Sequence, residues 1–197
     1  MDRLLVVAER LFSERGFSSV TLRDISQVLG LSHASLYYHF PGGKEELFIA
    51  VTKRSILRHG EALGSLLDEN SEDIRSRLHK AADWFLSQPP LDLIRMSQSD
   101  MPALKPQVAR EMMDLMYSQI LLRLQSALQK ADEEGYIRCP NPGLVGGALI
   151  GMIESFYSMP DFALRSPRTE MAREMIDILL KGLGYTPNPA SGSGAGL

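Results

Sequence analysis

Gly16, Gly30 and the triplet Pro41-Gly42-Gly43 cut the first part of the chain into short pieces, each with its apolar residues at helical spacing. Leu4, Leu5, Ala8, Leu11 and Phe12 make one stripe that ends at Gly16. Thr21 followed by Asp24 reads as a capping box that opens a helix through Leu29, and Gly30 supplies the left-handed turn that stops it. Ser32 caps a third helix, His33 to Phe40. After the Pro-Gly-Gly break a longer helix runs from Lys44 to about Leu67. Two helices this short, joined by so tight a turn, have the dimensions of a helix-turn-helix.

Beyond Asn70 the periodicity stays helical and the pieces lengthen: 71–88, ended by Pro89-Pro90; 91–99; 105–134, ended by Gly135; 142–158; and 167–183. No stretch alternates with the period of two that a half-buried strand needs. The expected fold is all-α, about nine helices in total. A three-helix domain over 1–46, with its helix-turn-helix at about 22–41, precedes a larger helical domain over 47–185, with 47–67 as the connecting helix. Residues 186–197, rich in Pro, Gly and Ser, read as a flexible tail.

Charge is unevenly spread over the chain. Residues 1–60 carry eight Lys/Arg against six Asp/Glu, and residues 61–197 carry thirteen against eighteen, so a net +2 end sits on a net −5 body. That is the balance expected if only the N-terminal end meets a polyanion. The single cysteine, Cys139, makes no internal disulfide and no zinc site, and fits a reducing compartment. The first residues, MDRLLVVAERLF, read as helix rather than as a leader peptide. The longest apolar run, Gly143 to Ile153, falls short of the roughly 20 residues that span a bilayer. A soluble, cytoplasmic protein is expected, with no metal, no cofactor and no catalytic residues. No nucleophile, base and orienting acid come together at a recognisable spacing.

The run TLRDISQVLGLSHASLYYHFPGGKEEL, Thr21 to Leu47, resembles the DNA-binding signature of the TetR family. That pattern passes from a Thr-capped helix through Leu-Tyr-x-His-Phe to Lys-Glu-x-Leu. Ala8, Leu11, Phe12 and Gly16-Phe17 match it as well. The resemblance implies that Thr21 and Arg23 hold phosphates at the start of the second helix. By the same resemblance His33, Ala34 and Ser35, after the cap Ser32, face base edges in the major groove. Tyr37 and His39 would hold phosphate, Tyr38 lies beside them, and Lys44 would add a phosphate contact from the fourth helix. The turn before Lys44 is one residue longer than the family's commonest form. The recognition helix also lacks the Arg, Asn and Gln that read bases bidentately, which shifts specificity towards water, DNA shape and apolar contact by Ala34.

In the larger domain, Gly143, Gly147, Gly151 and Ser155 recur every four residues on one helical face. Close packing within the chain and a dimer interface both account for the pattern. The family's habit of pairing its last two long helices between subunits favours the second, with Ala172, Met175, Ile176, Leu179 and Leu180 as the matching stripe. The 105–134 helix is apolar over more than one face and reads as central. Trp84, Phe85, Met96, Met112, Met113, Met116, Tyr117, Met152 and Phe156 are candidate linings of an apolar ligand pocket, or ordinary core. The reading is a homodimeric regulator of palindromic DNA, a repressor released by a small hydrophobic ligand. The alternative is a helical small-molecule-binding protein or enzyme whose DNA-binding module does not function.

Overall fold

The computed structural model describes residues 2–68 and 72–187, so residues 188–197 of the expected tail lie outside the described residues. Among the described residues there are nine α-helices longer than a single turn, one single-turn α-helix and no strand. They form two compact units, one of Met1–Arg58 with Pro89–Tyr117 and the other of His59–Gln88 with the chain from Ser118 onwards. The chain changes unit inside its fourth helix, at Pro89 and after Tyr117.

In the first unit, α1 (Asp2–Ser19) buries Leu4, Ala8, Leu11 and Phe12, the stripe seen in the sequence. Gly16 breaks its helical path at φ 77°, ψ 167°. In that region a Cβ is heavily strained, and it would also lie 3.2 Å from Asp100 Oδ1. The break turns Phe17 inward, where Phe12 and Phe17 meet Phe48 at ring-centroid distances of 5.1 and 4.9 Å. α2 (Leu22–Leu29) and α3 (His33–His39) follow, with Thr21 and Ser32 as caps and Gly30 left-handed between them. α4 (Gly43–Leu67) is the long connecting helix.

The unit's second stretch departs from the single helix expected over 91–99. α6 (Leu93–Arg95) is one turn long and runs into a π-helical turn, Met96–Asp100, and a 3₁₀ turn, Met101–Ala103, before α7 (Pro106–Met116). Two causes are visible. Pro102 has no N–H to continue a helix, and Asp100 is drawn inward to 3% exposure, where it accepts a hydrogen bond from Phe17 N.

The second unit holds α5 (Ile74–Leu86), α8 (Leu122–Glu133), α9 (Pro142–Ser158) and α10 (Arg168–Gly182). α7 continues into α8 through a π-helical turn, Tyr117–Leu121, so the 105–134 helix exists but carries an extra residue in one turn. α10 packs on α5 through Ala172, Ile176 and Leu180, each at most 1% exposed. Arg75 braces that contact with two 2.7 Å hydrogen bonds to Asp177, and His79 Nε2 lies 2.8 Å from the same carboxylate. Asp177 is held below the usual carboxylate range chiefly by the Arg75 bonds. Cys139 is buried, and burial raises its thiol pKa.

Within this unit α4 carries two interior glycines, each costing about 0.5–1 kcal/mol of helix stability relative to alanine. Both are covered. A Cβ on Gly60 would lie 2.6 Å from Gln119 Oε1, and one on Gly64 would lie 2.5 Å from Arg123 Nη1.

Gly16→Ala should destabilise the protein by about 1–3 kcal/mol, the cost of holding a side chain in a glycine-only conformation. Chemical denaturation of the two proteins measures it, and a loss below 0.5 kcal/mol, approximately the scatter of surface substitutions, contradicts the account.

Candidate nucleic-acid interface

α3 is an amphipathic helix of about two turns. Leu36 (1% exposed) and Phe40 (8%) point into the first unit, while Ala34, Tyr37, Tyr38 and His39 face outward and Ser35 is half-buried. Tyr38 is 82% exposed, its ring edge-on to His39 at 5.3 Å, so it is an outward group and no part of the core. His33 opens the helix, and its side chain lies outside the described ones. Ser32 accepts a hydrogen bond from Ser35 N at 3.2 Å, which fixes the start of the helix and leaves the Ser32 hydroxyl proton for another partner.

Two expected phosphate ligands are engaged inside the protein. Thr21 Oγ1 accepts from Asp24 N at 3.2 Å and donates to Asp24 Oδ2 at 2.6 Å, while Thr21 N donates to the same oxygen at 2.8 Å. Its one proton is committed, so Thr21 works here as a cap. The Thr21 hydroxyl, then its amide, hold the Asp24 carboxyl below the ordinary range, and the Arg15 and Arg23 charges add to this. Lys44 Nζ donates to Phe17 O at 2.9 Å and sits 4.3 Å above the Phe17 ring. It closes the carbonyl end of α1, an orphan acceptor that needs a donor.

Arg23 is exposed at the positive end of α2. Arg15, exposed just before the Gly16 break in α1 and close enough to act on Asp24, lies near it. The sequence reading missed Arg15. Its only signal is a basic residue just before the Gly16 break.

The end of α1 is also closed by a pair from the 89–117 stretch that no local pattern announces. Arg95 donates from Nη1 to Ser13 O (2.8 Å) and from Nη2 to Phe12 O (3.2 Å), and its Nε reaches Asp100 Oδ2 at 3.4 Å. Asp92 and Asp100 balance its charge. The cavity beside this pair, near Phe12, Phe48 and Met96, is about 30 Å³, room for a water and little more.

The residues proposed for a ligand pocket fall in both units. Met96, Met112 and Met116 are buried in the first, where Met113 is half-buried and Tyr117 is 50% exposed. Phe85 and Phe156 are buried in the second, with Trp84 and Met152 half-buried. Trp84 and Phe85 flank the buried His59 ring, each with its centroid 4.9 Å away. Of the proposed interface residues, Ala172, Ile176 and Leu180 are corrected to core: that stripe faces α5 of the same chain. Met175 (40% exposed) stays outward with Gly143, Gly147 and Ser155, and Gly151 and Leu179 are half-exposed. Among the described residues no cluster has the composition of a metal site, and no helix is long and apolar enough to cross a membrane.

These positions separate two substitutions by their readout. Lys44→Met should lower thermal stability, because it leaves Phe17 O without its donor. Arg23→Ala should leave melting unchanged and reduce the salt dependence of DNA binding by about one phosphate contact. Melting curves and a salt titration of binding check both. Loss of the Asp24 charge should weaken the capping box. Its stabilisation is complete above the ordinary carboxylate range and disappears as pH falls through the lowered pKa, a trend that Asp24→Ala should abolish in acid melts.

Comparison with known proteins bears on both parts of the chain. Residues 4–51 match the pattern of bacterial regulatory proteins of the TetR family, and residues 74–179 match the C-terminal domain of AefR-like transcriptional repressors. The regulator LmrA of Bacillus subtilis is 46% identical over 48 residues, 24% of this chain and 26% of LmrA, so the chain spans about a quarter of that relative's length. The crystal structure of PfmR from Thermus thermophilus, a TetR family regulator, superposes with a TM-score of 0.70 at 26% identity, covering 92% of this chain and 98% of that one. AibR, solved with isovaleryl coenzyme A and operator DNA, gives 0.74 at 20% identity over 91% and 97% of the two chains, a likeness of fold. With its N-terminal helices and more than half its length matched to these patterns, the chain belongs to the TetR family of DNA-binding transcriptional regulators.

Proposed function

We propose that the protein is a homodimeric repressor that binds a palindromic operator through α3 and is released by a small-molecule ligand. The outward face of α3 carries this reading. Four of its seven side chains point to solvent as hydrogen-bonding, aromatic or small groups, and none is the Lys or Glu of an ordinary solvated face. Ala34 and Ser35 at its start suit base edges, and Tyr37, Tyr38 and His39 suit phosphate or sugar.

A palindrome requires two copies of α3, about 34–36 Å apart for successive turns of the major groove. The uncovered face of α9 supplies the contact. A Cβ on Gly147 or Gly151 would meet nothing within 4 Å, and neighbouring Leu144 is 68% exposed. On α10, Met175 and Ile178 are 40% and 57% exposed. Small residues let a second helix approach closely, and large apolar residues beside them provide the area. AibR, with both a coenzyme A thioester and an operator in its crystal structure, supports a family member that answers to a ligand while reading DNA.

Gly147→Glu tests the dimer without touching the fold, since the position is open. Light scattering should show a monomer of unchanged helicity, and operator affinity should fall at least about a hundredfold as the two half-sites lose their linkage. A G147E protein that stays dimeric overturns this interface. On the DNA side, Ser35→Ala should change preference among operator sequences, and His39→Ala should weaken binding to all of them alike. If neither alters a gel shift with the operator, the α3 assignment fails.

A further inference from the structure

The second unit contains an arrangement that packing alone does not require. α4 gives up side chains at Gly60 and Gly64, four residues apart, and the groups laid against them are polar: Gln119 and Arg123, also four apart, on the π-helical turn and the start of α8. Two alanines on α4 and two apolar residues opposite would pack at least as well. π-Helical turns shift the register of a helix and recur at functional sites, and here the turn sets Gln119 and Arg123 over the glycines.

Arg123 has donors to spare. Its Nη2 donates to Gln119 Oε1 at 3.3 Å, and its Nε is buried without a hydrogen-bond partner among the described residues. A guanidinium carries five N–H donors in a fork that matches a carboxylate. The side chain lines a groove of about 250 Å³ between α4 and α8, enough for a small organic acid. Leu63 and Leu67 of α4 and Leu122 of α8 give the groove apolar lining, Ser118 and Ser126 on either side of Leu122 add hydroxyls, and Asp68 is the single acidic group lining it.

We propose that Arg123, oriented by Gln119 and seated on Gly64, binds the carboxylate of a small amphiphilic acid whose hydrocarbon part lies on Leu63, Leu67 and Leu122. The inference builds on the ligand-responsive reading above and names the chemical class of the ligand. One carboxylate answers the charge of the guanidinium, and the adjoining leucines favour an acid with an apolar tail. With Asp68 also lining the groove, a single negative charge suits it better than two.

Gly64→Ala separates binding from folding. The atom it displaces is the far end of a flexible side chain, and alanine favours a helix interior, so G64A should melt at or above the wild-type temperature while moving the guanidinium off its seat. The experiment is calorimetric titration of the full-length protein with sodium octanoate, 1-octanol and inorganic phosphate. Wild type should bind octanoate more tightly than either of the others. Arg123→Gln and G64A should lose at least about tenfold in octanoate affinity and leave octanol unchanged, the signature of a lost charged hydrogen bond. Equal octanoate affinity in wild type and R123Q, octanol or phosphate bound as tightly as octanoate, or no octanoate binding at millimolar concentration each overturns the proposal. Operator occupancy in the same samples keeps the two readings apart. Octanoate bound through Arg123 with no change in occupancy supports the site and overturns the ligand-responsive reading.

Discussion

Everything the N-terminal unit presents to DNA depends on how α1 is brought to an end. A helix leaves its last carbonyls without partners, and here the chain must also turn sharply at Gly16 to bury Phe17. The orphan groups are answered from two directions. Lys44 of α4 takes Phe17 O, while Arg95 takes Ser13 O and Phe12 O and Asp100 takes Phe17 N. Asp100 is 3% exposed, and a carboxylate buried that deeply is tolerable only because Arg95 and an amide face it. The closing pair therefore does more than add stability. It requires the 89–117 stretch to be in place before the turn between α1 and α2 can hold its shape, and that turn sets where α2 begins.

From this end point the reading head is assembled by local rules. The Thr21–Asp24 box fixes the first turn of α2, Gly30 stops it, Ser32 starts α3, and Leu36 and Phe40 anchor α3 on the core. The surface left over on α3 is the one proposed to meet DNA. The same economy gives two residues expected on the DNA a role in the fold: Thr21 caps α2, and Lys44 donates to a carbonyl at the end of α1.

Much of this was legible in the sequence because it is local. The caps, breaks and apolar stripe between Leu4 and Leu47 depend on residues three or four apart, and each formed within a residue of its expected place. The 91–99 segment was misread as one helix because its geometry answers to a partner more than 80 residues away, the Phe17 amide that claims Asp100. Arg15 went unnoticed for a related reason, since its worth lies in proximity to α2 and not in any motif. The α10 stripe was assigned outward because Ala172, Ile176 and Leu180 are apolar at helical spacing, a pattern that says a face is covered but not by which helix.

Glycine spacing shows the same ambiguity at its sharpest. Gly60 and Gly64 on α4, and Gly143, Gly147 and Gly151 on α9, both repeat every four residues, and each set thins one face of a helix. On α4 the space is already filled, by Gln119 and Arg123 of the same unit. On α9 the space at Gly147 and Gly151 is open, with exposed Leu144 beside it. Sequence marks both helices as places of close approach and cannot separate them, because the difference lies in what arrives. In the proposals above, the polar groups over the covered pair meet a charged small ligand and the bare glycines with their exposed apolar neighbours meet another helix, which would place sensing and assembly on different helices of one unit.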